Sequence, residues 1–388
     1  MSPSLRFPEF TGEWEESTIG KEFDLYSGNT PSRLNKEHFK GKVNWISSGE
    51  LKNHYIYSSK EQISEDAAKN LKLLPKGTFV IAIYGLEAEG VRGTGSITQE
   101  PSTISQACMA FIPQGDIENE FLYSWYKKHG EVIGVRYAQG TKQQNLSYDI
   151  LEKFKIAYPS IKEQKKLNKF IALLDERIAV QSRLIEDLKK FKCALEERML
   201  GQCQGKQVRL RDILIERVEK SRINNQYEVL SSTVSGIYSQ REYFNKEIAS
   251  ADNTGYKAIH RGDVVLSPQN LWMGNINYND RFEIGIVSPS YKVFSIDEKF
   301  DKGYIAFLLK TRKALWAYSL VSEQGASIVR RNLNYESFLE ISFVIPSLKE
   351  QQATARRLSA FKQKQTMEEA FLRSLLLQKE FMLKSLFI

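Results

Sequence analysis

The segment "YPSIKEQKKL" at residues 158–167 returns almost unchanged as "IPSLKEQQAT" at residues 345–354, an offset of 187 positions in a chain of 388. Each copy has a proline, then a serine, then a glutamate three residues after the serine: Ser160 with Glu163, and Ser347 with Glu350. This spacing predicts a capping box, in which the serine hydroxyl and the glutamate carboxylate accept from each other's backbone N–H groups. Each copy is therefore expected to begin a helix.

After each copy, apolar residues recur at alternating steps of four and three, which is the spacing of a heptad repeat. We call these positions the heptad seam. Its apolar members include Leu167, Ile171, Leu174, Ile178, Ile185 and Leu188 in the first copy, and Leu358, Phe361, Leu372 and Leu375 in the second. The shoulder residues expected to widen the first stripe are Phe170, Leu173, Leu184 and Phe191. Polar residues interrupt the seam at Gln181, Gln365 and Glu368, where they can fix register and partner.

A helix of about 40 residues is about 60 Å long, which is longer than a small domain is wide. We therefore expect the two helices to pair with each other in an antiparallel coiled coil. Two like units joined head to tail would then be related by a pseudo-twofold axis, as in a dimer built from one chain. The alternative is that each helix packs only on its own domain.

The similarity between the halves also reaches upstream of the helices. Residues 139–160 parallel residues 324–347, and "LPKGTFVIAIYG" (74–85) parallels "IHRGDVVLSPQN" (259–270). Short apolar and β-branched runs between Gly, Pro, Asn and Ser residues indicate strands joined by loops. The predicted fold class is α+β, with two strand-rich domains and an internal repeat. The predicted segments are 1–158, domain 1; 159–200, central helix; 201–345, domain 2; and 346–388, C-terminal helix.

Composition favours a folded, soluble protein, since 41% of the residues are hydrophobic and 26% are charged. The sequence shows neither a signal peptide pattern nor an apolar run of membrane-spanning length, so we expect a cytoplasmic protein without a membrane partner. The net charge is +8, and most of it lies in the helices: 159–200 and 346–388 carry +3 and +4, whereas 1–158 and 201–345 carry −2 and +3. The charge gives weak support for nucleic-acid binding.

The order of variable domain, "P-S-x-K-E-Q" helix, second variable domain and second "P-S-x-K-E-Q" helix resembles the specificity subunit of type I restriction-modification systems. Further local matches are "LYSGNTPSR" (25–33) and "VNWISSGEL" (43–51) in the first half. In the second half they are "YEVLSSTVSGIY" (227–238) and "YFNKEIASADNTGYKAIHRGDVVLSPQNLWMGNIN" (243–277). No single match is specific, but their order and spacing cover essentially the whole chain.

The resemblance implies two target recognition domains, each reading one half of a gapped, bipartite and asymmetric sequence in double-stranded DNA. It also implies partners: two methyltransferase (modification) subunits that use S-adenosylmethionine, and two restriction/translocase subunits that use ATP and Mg. This chain would then hold no cofactor of its own and would not be an enzyme.

Candidate DNA contacts are polar or aromatic residues in loops flanked by glycine or proline, because base edges and phosphates are contacted by such side chains. In domain 1 they are Asn29, Thr30, Ser32, Arg33, Ser47, Ser48, Tyr84, Thr141, Lys142, Gln143, Gln144 and Asn145. In domain 2 they are Ser232, Thr233, Ser235, Gln269, Asn270, Trp272, Ser327, Arg330 and Arg331. Ordinary turn chemistry is the alternative interpretation of each.

A search for catalytic motifs in the sequence finds no P-loop, no dinucleotide fingerprint and no methyltransferase motif. The four histidines and three cysteines lack metal-ligand spacing. Two other functions remain open from the residues alone: a stand-alone, two-domain, sequence-specific DNA-binding protein, and a coiled-coil scaffold whose domains bind other proteins. The first predicts tight, salt-sensitive DNA binding without partners, and the second predicts no sequence-dependent binding.

Overall fold

A computed structural model of the chain describes residues 2–86, 90–140, 144–244, 252–324 and 330–388. The chain divides into two compact units. Unit 1 comprises Met1–Ser182 with Ala370–Ile388, and unit 2 comprises Arg183–Glu369. Each unit thus contains one globular part and one piece of each long helix. Among the described residues, no helix is long and apolar enough to cross a membrane.

In its described residues, the globular part of unit 1 combines ten strands with four α-helices. The strands are β1 (Glu15–Thr18), β2 (Phe23–Ser27), β3 (Val43–Ile46), β4 (Tyr55–Ile56), β5 (Glu61–Ile63), β6 (Phe79–Ala82), β7 (Gly95–Thr98), β8 (Ser102–Ile104), β9 (Cys108–Pro113) and β10 (Lys155–Tyr158). The helices are α1 (Ile19–Glu22), α2 (Glu65–Ala68), α3 (Asn119–Tyr137) and α4 (Tyr148–Leu151). The first long helix, α5, spans Ile161–Gly201.

The globular part of unit 2 follows a similar plan. Its strands are β11 (Lys206–Arg209), β12 (Leu214–Glu216), β13 (Leu230–Thr233), β14 (Gly236–Ser239), β15 (Lys257–His260), β16 (Val264–Leu266), β17 (Ile276–Tyr278), β18 (Ile284–Val287), β19 (Lys292–Ile296), β20 (Ser322–Gln324), β21 (Arg331–Leu333) and β22 (Ser342–Ile345). The helices are α6 (Leu210–Ile213), α7 (Gln240–Phe244), α8 (Lys302–Leu308), α9 (Arg312–Leu320) and α10 (Tyr335–Glu340). The second long helix, α11, spans Leu348–Leu386. The predicted combination of strand-rich sheets and helices is confirmed.

The two units repeat one sheet topology. Unit 1 has a five-stranded sheet in the order β2-β9-β6-β7-β4, and unit 2 has a four-stranded sheet in the order β12-β19-β16-β17. In both, the central strand pairs antiparallel on each side, β6 with β7 and β9, and β16 with β17 and β19. A separate antiparallel pair, β1 with β10 or β11 with β22, leads into each long helix. The parallel predicted between residues 74–85 and 259–270 therefore corresponds to equivalent central strands.

Each sheet packs against helices to form a core rich in aromatic residues. In unit 1, α3 covers the sheet, and Phe79 and Phe121 are fully buried. In unit 2, Phe294, Tyr304 and Tyr318 are fully buried. The central strands β6 and β16 are buried along their whole length, which explains why their sequences "FVIA" and "VVL" are continuous apolar runs.

The heptad seam lies on the covered side of both long helices, as predicted. In unit 1, Leu167 and Ile171 are buried in the same core cluster as Leu386. In unit 2, Leu358 is fully buried, and the ring of Phe361 lies 5.2 Å from that of Phe191. The other apolar seam residues are buried or half-buried: Leu174, Ile178, Ile185, Leu188, Leu372 and Leu375. The shoulder prediction was wrong for Leu173 and Leu184, which are exposed. Phe170 is half-buried, and Phe191 is partly exposed although its ring contacts Phe361.

The predicted capping box is present at only one of the two helix starts. At α11, Glu350 accepts from the Ser347 backbone N–H at 3.1 Å, and the Ser347 hydroxyl accepts from the Glu350 N–H at 3.4 Å. At α5 the prediction was wrong, because the Glu163 carboxylate receives two hydrogen bonds from Arg6, at 2.8 and 2.7 Å. A two-point charged pair is stronger than one bond to a serine amide, and Arg6 is too far away in sequence for a local motif to reveal it.

The glutamine of each "P-S-x-K-E-Q" copy joins the long helix to the globular part of its unit. Gln164 accepts from the backbone N–H of Glu118, the residue preceding α3, at 3.0 Å, and donates to the Pro159 carbonyl at 2.9 Å. Gln351 accepts from the N–H of Asp301, the residue preceding α8, at 2.9 Å. Both glutamines are buried. The glutamine of the motif thus attaches the first turn of the long helix to the helix of the globular part that it contacts, α3 in unit 1 and α8 in unit 2.

Candidate nucleic-acid interface

In unit 1, two polar loops meet beyond the end of β6. Tyr84 forms a β-bridge with Asn145, and the Leu86 N–H donates to the Gln144 carbonyl at 3.0 Å. The Tyr84 side chain is 37% exposed. The Arg92 guanidinium donates to the side-chain oxygen of Gln144 at 3.1 Å. The structure therefore brings the predicted DNA contact Tyr84 next to two others, Gln144 and Asn145, which follow it by 60 and 61 residues.

In unit 2, the loop after β16 meets the strand β21 in a similar way. The Arg331 backbone N–H donates to the Gln269 carbonyl at 3.1 Å. The Arg331 guanidinium carbon lies 4.1 Å from the centre of the Trp272 ring, within the range of a cation–π contact. Arg331 also pairs with Gln324 across β20 and β21. Three predicted contacts, Gln269, Trp272 and Arg331, thus form one cluster.

The two clusters occupy equivalent places in the repeat. Tyr84 corresponds to Gln269, since each follows the central strand, and Gln144 corresponds to Arg331, since each precedes the shared "NL" at 145–146 and 332–333. The residues therefore share a position but differ in chemistry: a tyrosine and an amide in one unit, an amide and a guanidinium in the other. Equivalent positions with different donors and acceptors are what reading two different half-sites requires.

Two buried oxygen atoms in these loops have no hydrogen-bond donor among the described residues. They are the side-chain oxygens of Asn145 and Asn270. A buried acceptor without a donor is rare in folded proteins and needs a partner from outside, such as water or a ligand.

A buried polar network supports the loop that carries Gln269, Asn270 and Trp272. The Ser232 hydroxyl donates to Asn275, and the Asn277 amide donates to Ser232, both at 2.7 Å. The Lys310 ammonium donates to the Gly274 carbonyl at 2.8 Å and to the Val234 carbonyl at 3.1 Å. Burial lowers the pKa of Lys310 to about 8. Ser232, predicted as a DNA contact, is buried here, with its hydroxyl engaged inside the unit.

The remaining predicted residues of unit 1 lie in two other loops. Arg33 is exposed and makes two hydrogen bonds with Glu61, at 3.0 and 2.7 Å, while its guanidinium lies over Phe39. Asn29 is exposed and accepts from the Thr30 N–H, and Ser32 is exposed in the same loop. Ser47 caps a short 3-10 helix that begins at Ser48, with its hydroxyl 2.8 Å from Glu50. The local turn contacts of these residues leave their DNA role a prediction.

In unit 2, Thr233 and Ser235 lie at the β13–β14 turn, with their hydroxyls 3.0 Å apart. Arg330 is exposed next to Arg331. The predicted contacts Thr141, Lys142, Gln143 and Ser327 lie outside the described residues.

Sequence reasoning missed the supporting residues Arg92, Asn275, Asn277 and Lys310. The alternation of Asn275 and Asn277 within "MGNIN" was the available signal, since residues two apart on a strand point to the same face. Nothing local marks Arg92 or Lys310, whose partners are 52 and 36 residues away.

Unit 1 also holds a charged cluster between its sheet and both long helices. The His54 ring stacks between Tyr55 and Tyr123, with centroids 4.1 and 3.9 Å away. Its Nε2 lies 2.9 Å from Glu120 and its Nδ1 lies 3.7 Å from Asp175, which also pairs with Lys379. Burial lowers the pKa of His54, but the two carboxylates outweigh it, so the pKa is raised. No described group of three His, Cys, Asp or Glu residues could hold a metal ion.

Comparison with known proteins agrees with this arrangement. Residues 11–190 match the family model described as the type I restriction modification DNA specificity domain. The MjaIX type I restriction enzyme specificity subunit of Methanocaldococcus jannaschii is 29% identical over 185 residues, which span 46% of this chain and 42% of that relative. The MjaVIII specificity subunit of the same organism is 23% identical, over 94% of this chain and 91% of that relative.

Two solved structures share the fold along the whole chain. The type I restriction-modification S subunit from M. genitalium superposes with a TM-score of 0.59 at 17% identity, covering 100% of this chain and 99% of that one. A chain from a study of complex assembly and conformational transition in a type I restriction-modification system superposes with a TM-score of 0.60 at 12% identity, covering 98% of each chain. With the family match and the relatives, these observations lead to one conclusion: residues 11–190 match the DNA specificity domain of type I restriction-modification systems, and the chain as a whole is similar to the specificity subunits of those systems.

Proposed function

We propose that this chain selects the DNA sequence for a type I restriction-modification enzyme. The observation that carries the proposal is the pair of equivalent loop clusters, which present Tyr84 and Gln144 in one unit and Gln269 and Arg331 in the other. Each cluster would read one half of a bipartite, gapped target in double-stranded DNA. Because the two sets of side chains differ, the two half-sites would differ, and the whole target would be asymmetric.

The proposed division of labour leaves this chain without catalytic steps. Segments 1–158 and 201–345 would read DNA, and segments 159–200 and 346–388 would form the helical spacer. Two modification subunits would bring S-adenosylmethionine and methylate adenine, while two restriction/translocase subunits would use ATP and Mg. The large segments are nearly neutral, with −2 and +3, so partner subunits that close around the DNA would supply much of the phosphate contact.

We further propose that α5 and α11 pair antiparallel and set the distance between the half-sites. Contacts inside each unit support this. In unit 1, Asp175 of α5 pairs with Lys379 of α11, and the guanidinium carbon of Arg177 lies 5.3 Å from the centre of the Phe371 ring. A later residue of α5 thus contacts an earlier residue of α11, as antiparallel helices require. In unit 2, Lys189 pairs with Glu369 at 3.4 Å, and Phe191 contacts Phe361. Charged residues in place of Leu174 and Phe361 would therefore disturb the spacing between half-sites.

The test is to coexpress the chain with its cognate modification subunit and to map methylated adenines on genomic DNA by single-molecule sequencing. The expected result is a gapped, asymmetric motif that disappears when this chain is omitted. Tight, salt-sensitive binding of one DNA sequence by the isolated chain, without any complex, would favour a stand-alone DNA-binding protein instead.

A further inference from the structure

Arg331 is a charged side chain that contacts an aromatic ring and, within the described part of the chain, has no acidic partner. Its guanidinium lies over the Trp272 ring, and the backbone N–H of the same residue is bonded to Gln269. Among the described residues, no carboxylate forms an ion pair with Arg331. Other arginines of unit 2 differ: Arg217 pairs with Asp263 at 2.8 Å, and Arg281 pairs with Glu242 at 2.6 Å.

The turn beneath Arg331 is held by several hydrogen bonds. Trp272 sits in a short 3-10 turn, Leu271–Met273, that ends at Gly274 with φ of 90°, a conformation that favours glycine. The Asn275 N–H donates back to the Asn270 carbonyl at 3.2 Å, and the Lys310 ammonium holds the Gly274 carbonyl. These hydrogen bonds hold the backbone on both sides of Trp272, the ring over which the guanidinium lies.

The guanidinium of Arg331, which lies over the Trp272 ring, carries N–H donors that lie in one plane. That geometry matches the N7 and O6 acceptors on the major-groove edge of guanine, and an arginine fork on these two atoms is the commonest specific contact to a base. Adenine carries an amino donor, N6, where guanine carries the acceptor O6. Thymine and cytosine lack the pair of adjacent acceptors. A phosphate would also accept from arginine, but it would leave sequence preference unchanged.

We propose that Arg331, held by Trp272, reads one guanine in the half-site of the second domain. This inference rests on the proposed function and deepens it by assigning a base to a residue. The equivalent residue of unit 1 is Gln144, whose side-chain oxygen is bonded to Arg92, so this guanine preference belongs to the second half-site alone.

In the first experiment, the full chain and its variants are each coexpressed with the modification subunit, and the methylation motifs of the resulting complexes are compared. Arg331→Lys keeps the charge but loses the fork, and Arg331→Gln removes the charge. The matched control is Arg261→Ala, which removes one exposed charge of unit 2, paired with Glu283 at 3.3 Å. In both Arg331 variants, one guanine of one half-site should become degenerate, with the other half-site intact. Arg261→Ala should keep the motif.

The wild-type motif measured in the same experiment tests the proposed function separately. If the wild type gives a gapped motif but the Arg331 variants keep every guanine, the inference is overturned and the function stands. A uniform loss of methylation with an unchanged motif would mean that Arg331 contacts a phosphate group and not a base. That result would also overturn the inference. Co-purification with the modification subunit and an unchanged melting temperature show that a variant is folded.

A second experiment leaves the protein unaltered and so does not depend on variant folding. In duplexes carrying the wild-type motif, 7-deazaguanine replaces each guanine of the second half-site in turn, which removes the N7 acceptor. Binding of the wild-type complex should weaken on the order of 10-fold or more at one position. In the Arg331→Lys complex the same replacement should have little effect. Equal affinity for all modified duplexes would refute the base assignment.

Discussion

Gln164 and Gln351, 187 positions apart, make the same pair of contacts: each donates to the carbonyl of the proline five residues before it at 2.9 Å and accepts from the residue preceding a domain helix. Each glutamine thus satisfies backbone groups of two elements at once. The internal repeat of the sequence is therefore also a repeat of specific contacts.

Gln351→Ala should destabilise unit 2, because it leaves the buried Asp301 N–H and Pro346 carbonyl without their partner. The expected loss is about 1–3 kcal/mol in the free energy of unfolding. Urea denaturation followed by tryptophan fluorescence would measure it. The neighbouring Gln352 is exposed, so Gln352→Ala should change stability by less than about 0.5 kcal/mol. Equal effects of the two substitutions would rule out a role for the buried amide.

The seam of α11 predicts a second contrast. Leu358 is fully buried, whereas Leu377 on the same helix is 67% exposed. Leu358→Ala should cost about 2–5 kcal/mol through lost burial and the cavity that remains. Leu377→Ala should be nearly neutral, and denaturant midpoints of the two variants would compare them. A large effect at Leu377 and none at Leu358 would contradict the finding that the seam face of α11 is the buried one.

His54 predicts a pH dependence in unit 1. Its folded-state pKa is raised above the unfolded value of about 6.5, so its contribution to stability is complete below that pH and is lost as pH rises through the folded pKa. The wild type should therefore lose stability relative to His54→Gln as pH increases above about 6.5. Unfolding midpoints across this range test it. Parallel curves for the two proteins would exclude a role for the histidine charge.

The three cysteines should differ in reactivity. Cys108 is buried, and burial raises the pKa of its thiol to about 12, so it should resist alkylation in the folded protein. Cys193 is exposed and should react first. Timed labelling with iodoacetamide and peptide mass spectrometry would assign each site, with Cys193→Ser as control. Early labelling of Cys108 would mean that unit 1 opens readily.

Exchange of the second domain tests modular recognition. Residues 201–345 contain β11 to β22, and both ends of this segment adjoin a long helix. Replacing it with the corresponding segment of another specificity subunit should change one half of the methylated motif and preserve the other. Changes in both halves would mean that recognition is shared between the domains.

The repeat, both long helices and the buried side of the seam follow from local spacing, which is why the sequence predicts them. Contacts between distant residues do not. Glu163 has the spacing of a capping box but pairs with Arg6, 157 residues away. Ser232 looks like a polar loop residue but joins a buried network with Asn275. The candidate DNA residues were predictable as a class, since loops near the ends of central strands carry them, but their orientation depends on partners such as Trp272 and Arg92.

Unit 1 contains both the first 182 residues and residues 370–388, and this has a consequence for biosynthesis. Phe387 is 1% exposed, and its ring lies 5.2 Å from that of Phe121. The first domain therefore lacks part of its core while the ribosome is still making the second. Unit 2 has a continuous sequence and can fold earlier, whereas unit 1 must wait until residues 370–388 have been made. A chain terminated before residue 370 would leave an apolar surface of unit 1 uncovered. Chaperones would bind such a chain, and proteases would degrade it.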